Sequence, residues 1–338
     1  MTRFLPALGL SALMSTAAFA NPVGLRLSEP VMAHQDAPVR TAVWYPAEAG
    51  GTVTRFAENP VFVGVDAVTD AVPVPGSYPI IALSHGMGGG IESVAWLGAA
   101  LVERGAVVVS VSHPGTTWSD FDMVDGARHW TRAQDLSAAI TLLGADPDLA
   151  PLLDDSRVMV AGFSYGGWTA LSMGGARGNH AGFVRTCTDM VDTLVACDTF
   201  LEPEVGLAQI PARQWNADYS DPRVTHVVSI DPGFVWGLES ADMADLIPQV
   251  RVIGFGDDDD RMLATDFDAS GLTALLPGAQ VDRIVPGVHF SAMPLCTPAG
   301  AAILEEEQDD PVCTDPEGAD RAAIHARIVD AIAADLGL

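Results

Sequence analysis

Three short stretches of the chain consist almost entirely of apolar residues. They are residues 80–84 (IIALS), 107–111 (VVVSV) and 158–161 (VMVA). None of them alternates regularly between apolar and polar positions, so as strands they have no face suited to water. Strands of this kind are typical of a parallel sheet that is covered on both faces. These stretches constrain the fold more than any other feature of the sequence.

Helices and further strands alternate with these stretches along the chain. The helices are expected at 91–104, at 132–143, after Tyr165 and at 319–336. The last of them has a regular apolar face. The remaining strands are expected at 39–45, 224–230, 250–255 and 281–285. This alternation predicts an α/β fold with a mostly parallel central sheet and helices on both of its faces.

The length and composition of the chain allow one large core. The chain has 338 residues, of which 49% are apolar, and it shows no internal repeat. We expect a single domain over residues 21–338 with an insertion at about 175–222. The insertion is long and holds no strong strand, so it interrupts the alternation. It is either a cap over the C-terminal edge of the sheet or an excursion on the surface.

Residues 1–20 have the features of a secretory signal peptide. Arg3 supplies a positive charge, residues 4–19 are mostly apolar, and the segment ends in the small-x-small pattern Ala18-Phe19-Ala20. The apolar part is short for a membrane span. We therefore predict cleavage after Ala20, export to the periplasm or the cell exterior, and no stable insertion into the membrane. The alternative is a disordered or membrane-anchored N-terminus.

The four cysteines form two local pairs, Cys187 with Cys197 and Cys296 with Cys313. An even number of cysteines in an exported chain predicts two disulfide bonds. The alternative is four buried free thiols. No second Cys or His stands at the spacing of a zinc site, so we expect no bound metal.

The charge of the chain is strongly negative. Acidic residues outnumber basic ones by 44 to 17, which gives a formal net charge of -27. Nucleic acids and anionic membrane surfaces are bound by basic surfaces, so the charge excludes nucleic acid as a partner and argues against such membranes. The acidic runs at 257–260 and 305–310 are expected to be solvated loops.

A serine stands at the corner between a predicted strand and a predicted helix. Ser164 follows the apolar run 158–161 and is flanked by Gly162 and Gly166, in the order Gly-Phe-Ser-Tyr-Gly. Side chains at the two flanking positions would collide where strand and helix meet. A sharp turn of this kind presents the serine hydroxyl at the crest of the sheet, which is where ligands of open α/β sheets bind. We predict that Ser164 is a nucleophile; the alternative is a helix N-cap serine.

A glycine-rich turn follows the predicted strand at 80–84. It reads Ser84-His-Gly-Met-Gly-Gly-Gly90. Its glycines allow backbone N–H groups to turn inward, so we expect the amides of Met87 and Tyr165 to form an oxyanion hole. The turn matches neither the P-loop pattern nor the dinucleotide-binding spacing. We therefore expect no metal and no organic cofactor.

A serine nucleophile needs a base and an acid, and these follow it along the chain in the order acid, then histidine. His289 lies in a loop after the strand predicted at 281–285, so we predict that it is the base. His325 lies on the final helix and is expected at the surface, whereas His226 lies inside a strand. The proposed acid is Asp231, which ends the strand at 224–230 and precedes a Pro-Gly corner.

Two other carboxylates remain open as the acid. Asp257 and Asp259 follow the next predicted strand, at 250–255. Both positions lie at the correct edge of the sheet to orient the imidazole and to stabilise its charged form. The same run of aspartates is equally compatible with a solvated turn or a weak cation site, although it lacks the ligand spacing of a calcium loop.

Together these residues resemble the α/β-hydrolase superfamily. More narrowly, several segments are similar to the platelet-activating-factor-acetylhydrolase-like group, often described as predicted dienelactone hydrolases: SHGMG at 84–88, GFSYGG at 162–167, DP at 231–232, VHF at 288–290, VWYP at 43–46, VSHP at 111–114 and the two cysteine-containing segments. The resemblance covers most of the mature chain. It implies an acid at Asp231 in the acetylhydrolase branch and an acid after the following strand in other branches. Dienelactone hydrolases proper use a cysteine nucleophile, whereas this chain has Ser164.

The sequence therefore predicts an exported serine hydrolase that cleaves carboxylic esters through an acyl-enzyme. Ser164 attacks, His289 transfers the proton, Asp231 orients His289, and the amides of Met87 and Tyr165 bind the oxyanion. The expected partner is a small-molecule or lipid-like ester. The alternatives are an acyltransferase with the same chemistry and a catalytically inactive binding protein of the same fold.

Overall fold

A computed structural model of the chain describes residues 21–257 and 260–338. The strands in these ranges are β1 (Val23–Ser28), β2 (Thr41–Pro46), β3 (Val53–Phe56), β4 (Val65–Thr69), β5 (Tyr78–Ser84), β6 (Gly88–Gly89), β7 (Val107–Val111), β8 (Leu153–Phe163), β9 (His226–Ile230), β10 (Val250–Phe255) and β11 (Gln280–Ile284). The α-helices are α1 (Ala95–Glu103), α2 (Met123–Gly126), α3 (His129–Leu143), α4 (Tyr165–Met173), α5 (His180–Asp189), α6 (Cys197–Leu201), α7 (Ala212–Trp215), α8 (Leu272–Leu275), α9 (Gly300–Glu307) and α10 (Arg321–Leu336).

The predicted signal peptide, residues 1–20, lies outside the described residues. Within the described ranges, no helix combines the length and the apolar character that a membrane span requires.

Ten of these eleven strands, all except β6, form one sheet in the order β11-β10-β9-β8-β5-β7-β2-β1-β4-β3. The six strands from β11 to β7 run parallel to one another. On the other side, β2 pairs antiparallel with both β7 and β1, and β3 and β4 form an antiparallel pair at the edge. The predicted fold class, a mostly parallel central sheet, is thus confirmed.

Helices cover both faces of this sheet. The side chains of β5 alternate between two cores, with Ile80 in one and Ile81 in the other. The first core contains Leu136 of α3, and the second contains Leu101 of α1 and apolar side chains of α10. Full burial of one such side chain stabilises the folded chain by about 1.5–3 kcal/mol. Apolar residues are therefore favoured at successive positions of a strand that contributes to both cores.

Some elements differ from the sequence-based expectations. The antiparallel side of the sheet includes β1, β3 and β4, which the sequence patterns do not indicate, because edge strands such as β3 are largely exposed and lack an apolar run. His325 was expected at the surface, and this is wrong. Only 7% of His325 is exposed, and its ring stacks on Trp96 with centroids 3.6 Å apart. The buried stripe of α10 is wider than the apolar face alone and includes this histidine.

The two predicted disulfide bonds are confirmed. Cys187 and Cys197 join α5 to α6, with α-carbons 4.8 Å apart. Cys296 and Cys313 close the segment that contains α9, with α-carbons 5.8 Å apart. The described residues include no free cysteine.

The corner between β8 and α4 brings two backbones into direct contact. Ser164 has a φ of +56°, a conformation that residues other than glycine seldom adopt. A β-carbon added at Gly162 would lie 2.1 Å from the carbonyl oxygen of Gly166, and one added at Gly166 would lie 2.1 Å from that of Ser84. Only glycine fits at either position, because a side chain there would collide with a backbone carbonyl, as the sequence predicts.

We predict that Gly162→Ala lowers the free energy of unfolding by about 3 kcal/mol or more, because a backbone must move to admit the methyl group. Gly278→Ala is the matched control, since an added β-carbon there meets no atom within 4 Å. It should change stability by about 0.5 kcal/mol or less. Urea unfolding of both variants measures the difference, and equal stabilities would contradict the steric argument.

Candidate active site

Ser164 lies at the carboxyl end of β8, where the chain turns into α4. Its backbone is fixed by β9, since its N–H donates to the carbonyl oxygen of Ile230 at 2.8 Å. Although the residue occupies the N-cap position of α4, its side chain caps no amide of the helix. The hydroxyl oxygen instead lies 3.1 Å from Nε2 of His289.

His289 begins a short 3-10 turn, His289–Ala292, that follows β11. Its side chain is 7% exposed, and Nδ1 lies 2.6 Å from Oδ2 of Asp231. A carboxylate only accepts hydrogen bonds, so in the neutral ring Nδ1–H donates to Asp231 and Nε2 is free to accept the proton of Ser164. This is the arrangement in which an imidazole acts as a general base toward a serine hydroxyl.

Asp231 stands at the end of β9 with a φ of +43°, and 5% of the residue is exposed. Besides His289, its carboxylate accepts the N–H of Phe255 at 3.3 Å and the hydroxyl of Thr265 at 2.7 Å. Each donor stabilises the ionised carboxylate that the imidazole needs opposite it. Thr265 is a residue of the site that sequence reasoning missed, because it lies in a 3-10 turn, Leu263–Thr265, with no recognisable motif.

Among the described residues, the other acid and base candidates do not meet at this point. Asp257 is exposed and makes no hydrogen bond with His289, and Asp259 lies outside the described residues. His226 is the first residue of β9, and its Nδ1 hydrogen-bonds to the hydroxyl of its neighbour Thr225 at 2.9 Å. The structure therefore brings together Ser164, His289 and Asp231.

The amides of Met87 and Tyr165 border the serine. In the described part of the chain neither amide has a hydrogen-bond partner. A β-carbon added at Gly86 would lie 3.1 Å from Cβ of Ser164, so the glycine turn passes directly beside the nucleophile. The Tyr165 amide belongs to the first turn of α4, where the helix dipole also favours negative charge. Both amides are therefore available to an oxyanion.

A second Ser–His–Asp arrangement lies beneath the glycine turn. Oγ of Ser84 is 2.9 Å from Nε2 of His113, and Nδ1 of His113 is 2.9 Å from Oδ2 of Asp135. All three residues are 0% exposed, and none lines the cavity beside Ser164. A hydroxyl that no substrate can reach does not serve as a nucleophile, so we assign this arrangement a structural role.

A cavity of about 1110 Å³ opens beside Ser164 and His289. Its wall is largely apolar and includes six aromatic side chains: Phe62, Trp96, Trp118, Phe121, Phe163 and Phe290. Trp118 and Phe121 form an apolar lip, since they are 74% and 50% exposed. The segment that carries the lip is hydrogen-bonded to the glycine turn: Gly88 N–H donates to the carbonyl oxygen of Thr116, two residues before Trp118, at 2.8 Å.

The segment 175–222 does not contribute to this cavity. All of its residues are described, and none of them lines the wall. It has a core of its own, in which Phe183 stacks on Phe234 with centroids 5.2 Å apart, and Phe234 stacks on Tyr165. In the described structure this segment thus lies outside the cavity wall, and its stacking contact with Tyr165, the neighbour of Ser164, runs through Phe234.

The cavity wall carries an excess of negative charge. Among the described residues, no ion pair involves the lining carboxylates of Glu103, Glu307, Asp309 and Asp310. Arg104, which also lines the wall, is paired with Asp330. The acidic run at 305–310 was expected to be a solvated loop. Its residues are exposed as expected, but Glu305, Glu306 and Glu307 belong to helix α9, and Glu307, Asp309 and Asp310 also border the cavity. Elsewhere in the described residues, no cluster of His, Cys, Asp and Glu has the geometry to hold a metal ion.

Comparison with known proteins agrees with this architecture. No family model matches the chain, and no curated protein matches its sequence. Its structure is similar to that of a ferulic acid esterase from Streptomyces cinnamoneus, with a TM-score of 0.58 and 18% identity over 95% of this chain and 91% of that one. It is also similar to a dienelactone hydrolase-like promiscuous phosphotriesterase from metagenomic libraries, with a TM-score of 0.52 and 14% identity over 94% of this chain and 99% of that one. The chain therefore has the α/β-hydrolase fold.

We predict that Asp231→Asn lowers kcat/KM for an ester by about 10⁴-fold while the protein remains folded. The amide group of Asn would donate to Nδ1 and favour the tautomer with the proton on Nε2, which cannot accept from Ser164. Asp257→Asn removes the same charge from an exposed position and should change kcat/KM less than about twofold. The measurement is kcat/KM for both variants on one ester at fixed pH; a collapse in the Asp257 variant alone would reverse the assignment.

Proposed function

We propose that the protein is an exported serine hydrolase that cleaves carboxylic esters. The observation that carries the proposal is the line of hydrogen bonds from Ser164 through His289 to Asp231, with heavy-atom distances of 3.1 Å and 2.6 Å, at the wall of an open cavity. The fold alone does not demand a serine at the cavity wall. The Ser164 arrangement borders the cavity, whereas the Ser84 arrangement is buried.

The reaction divides into two steps. In the first, Oγ of Ser164 bonds to the ester carbonyl carbon as its proton passes to Nε2 of His289. The tetrahedral intermediate then collapses, the bond to the alcohol oxygen breaks, and His289 returns the proton to that oxygen. In the second step, His289 takes a proton from a water whose oxygen bonds to the acyl carbon; the bond from that carbon to Oγ of Ser164 then breaks, His289 returns the proton to Oγ, and the acid is released.

Two features of the site lower the barriers of these steps. The negative charge on the carbonyl oxygen would be bound by the amides of Met87 and Tyr165, which is commonly the largest single contribution in acyl transfer. The positive charge on His289 would be stabilised by Asp231, whose carboxylate is held by Thr265 and by the N–H of Phe255. Charge is thus compensated on both sides of the reacting carbon.

The fold of the solved esterase and the motifs of the sequence support this reaction class. The position of Asp231 at the end of β9 favours the acetylhydrolase-like branch of the resemblance over branches whose acid follows the next strand. Acyl transfer to an alcohol by the same steps, or ligand binding without turnover, would be revealed by the products or by their absence. Export is supported by the signal-like residues 1–20 and by the two disulfide bonds, which persist in oxidising compartments.

The first test of the proposal labels the nucleophile. We predict that a fluorophosphonate probe modifies the wild-type protein and the Ser84→Ala variant but not Ser164→Ala, because Ser84 is fully buried. Ser164→Ala should also lower kcat by about 10⁴- to 10⁶-fold without unfolding the protein. Intact-mass and peptide-level mass spectrometry locate the label. Hydrolysis that persists in Ser164→Ala, or a label on Ser84, would contradict the assignment.

The cavity indicates which esters are preferred. Its aromatic wall favours a substantial apolar group, and its unpaired carboxylates repel a negatively charged one. We predict that 4-nitrophenyl hexanoate is hydrolysed with a kcat/KM at least about tenfold above that of mono(4-nitrophenyl) adipate, which has the same acyl length and a terminal carboxylate. Because the effect is electrostatic, the ratio should fall as salt is raised from about 0.01 M to 1 M.

Charge variants provide a matched control for this preference. Changing Glu307 to Gln and both Asp309 and Asp310 to Asn should bring the ratio closer to one. Changing Glu305, Glu306 and Glu317 to Gln removes the same net charge from exposed residues that do not line the cavity, and should leave the ratio unchanged. Equal effects of the two triple variants would show that only the overall charge of the protein matters.

A further inference from the structure

Five polar side chains beneath the glycine turn form what we term the support network: Ser84, His85, His113, Arg132 and Asp135. Each of them is at most 1% exposed, and none lines the cavity. Burial of polar groups is costly unless they are hydrogen-bonded. The bonds that these residues make therefore reveal what the network holds in place.

His85 holds the peptide group that follows it. Its Nε2 lies 2.9 Å from the backbone nitrogen of His113, and its Nδ1 lies 2.6 Å from the carbonyl oxygen of Gly86. A backbone N–H can only donate, so Nε2 is the acceptor and the ring proton is on Nδ1, from which it is donated to Gly86. Burial, with Arg132 and His113 nearby, holds the pKa of His85 well below its ordinary value, and the ring is neutral.

The orientation of the Met87 amide follows from this bond. The carbonyl of Gly86 and the N–H of Met87 belong to the same planar trans peptide group, so they point in opposite directions. A donor that fixes the carbonyl fixes the N–H as well. Gly89 N–H is a second donor to the same carbonyl oxygen, at 3.2 Å. The imidazole and the turn together aim the Met87 amide, which has no other partner in the described residues.

Arg132 links this turn to the start of α4. One of its terminal nitrogens donates to the carbonyl oxygen of His85, and Nε donates to the hydroxyl of Thr169 at 3.2 Å. Thr169 in turn donates to the carbonyl oxygen of Tyr165 at 3.2 Å, and the guanidinium lies over the Tyr165 ring, 4.4 Å from its centroid. One side chain thus contacts both segments that carry the candidate oxyanion donors.

A chain of hydrogen bonds connects the two charges of the network. Burial lowers the pKa of Arg132 to about 10, so it remains cationic at neutral pH. Burial alone would raise the pKa of Asp135, but hydrogen bonds from His113 and His34 outweigh it and lower that pKa, so Asp135 is anionic. Ser84 and His113 separate the two charges. The cationic end donates to the carbonyl oxygen of His85, whereas the anionic end also accepts from His34 and Gln35.

We propose that His85 and Arg132 are positioning residues that hold the Met87 and Tyr165 amides in the geometry that binds the oxyanion. The inference rests on the proposed function, since it assigns those amides to an acyl-transfer reaction. An oxyanion donor accelerates the reaction because its direction is fixed before the charge develops, and loss of one such donor costs about 10²- to 10³-fold in kcat. A donor that is present but misdirected should cost part of that.

The test compares two amides at one position. In His85→Asn the side-chain nitrogen reaches the place of Nδ1 and can still donate to Gly86, whereas in His85→Gln it reaches the place of Nε2 and cannot. We expect His85→Gln to lower kcat for 4-nitrophenyl acetate by about 10- to 100-fold with little change in KM, because the lost interaction belongs to the transition state. His85→Asn should recover a substantial part of kcat. The affinity for a trifluoromethyl ketone, which forms a tetrahedral adduct with a serine nucleophile, should fall with kcat/KM.

His129→Gln is the matched control for a purely structural effect. His129 is also a buried neutral imidazole, 1% exposed, that bonds through both ring nitrogens, to Trp215 and Trp168. It lies outside the network, so its variant should lose thermal stability without losing kcat or inhibitor affinity. If His85→Gln does not fold, Arg132→Lys, which keeps the charge but not the set of bonds, should lower kcat about tenfold with KM unchanged.

The outcomes separate the inference from the function on which it rests. A wild-type protein that neither hydrolyses the ester nor reacts with a fluorophosphonate would refute the proposed function. If the wild type is active, and the folded His85→Gln and Arg132→Lys variants keep kcat and inhibitor affinity within about twofold, the positioning role is wrong. Equal losses of kcat in His85→Gln and His129→Gln would also overturn it, because they would indicate a general effect of core disruption.

Discussion

Backbone contact at the corner between β8 and α4 determines where the reacting groups of this protein lie. Gly166 rests on the carbonyl of Ser84, and Gly162 rests on the carbonyl of Gly166, each without room for a methyl group. The end of β5, the end of β8 and the first turn of α4 are therefore in direct contact. Because peptide groups are stiff and long side chains are not, this contact fixes Ser164 beside the glycine turn more firmly than side-chain packing could.

The polar network beneath that corner is difficult to explain by stability alone. A buried cation and a buried anion that are joined only through neutral groups contribute little net stability, and apolar residues of similar volume often serve a core as well or better. The network instead fixes the orientation of backbone groups in the glycine turn and at the start of α4. Arg132 contacts the backbone of His85 and the ring of Tyr165, and His85 contacts the carbonyl of Gly86. Three strand ends and a helix are thereby held in one arrangement at the point where the chemistry is proposed.

The sequence predicted the parts of the molecule whose patterns are local. The strands β5 and β7 and the second half of β8 are largely apolar runs, and the serine corner is a motif within one segment, so each could be recognised without knowledge of the rest of the chain. His289 and Asp231 were predicted because the fold class fixes where the ends of strands lie. The choice of Asp231 over Asp257 needed one further piece of information, the direction of a side chain, and the acid was therefore left open.

The sequence did not reveal contacts between residues that are distant along the chain. Thr265 meets Asp231, Arg132 meets the carbonyl of His85, and His325 stacks on Trp96 only because the sheet brings their segments together. Thr265, Arg132 and His325 lie in no recognisable motif. A polar residue that hydrogen-bonds to a site residue is placed by that one contact and not by the period of a helix or strand. Its position therefore cannot be recognised from a periodic sequence pattern.

The C-terminal segment shows how one such long-range arrangement connects the base to the cavity. The hydroxyl of Ser291, two residues after His289, donates to Asp315 at 2.6 Å, and Asp315 accepts from Arg321 at 2.9 Å. The loop between these anchors is closed by the second disulfide bond and carries the acidic residues of the cavity wall. Closing a loop of this length constrains the unfolded chain by about 3 kcal/mol in the entropic model. Because disulfide bonds form and persist mainly in oxidising compartments, this constraint on the segment after the base would be present in an exported protein.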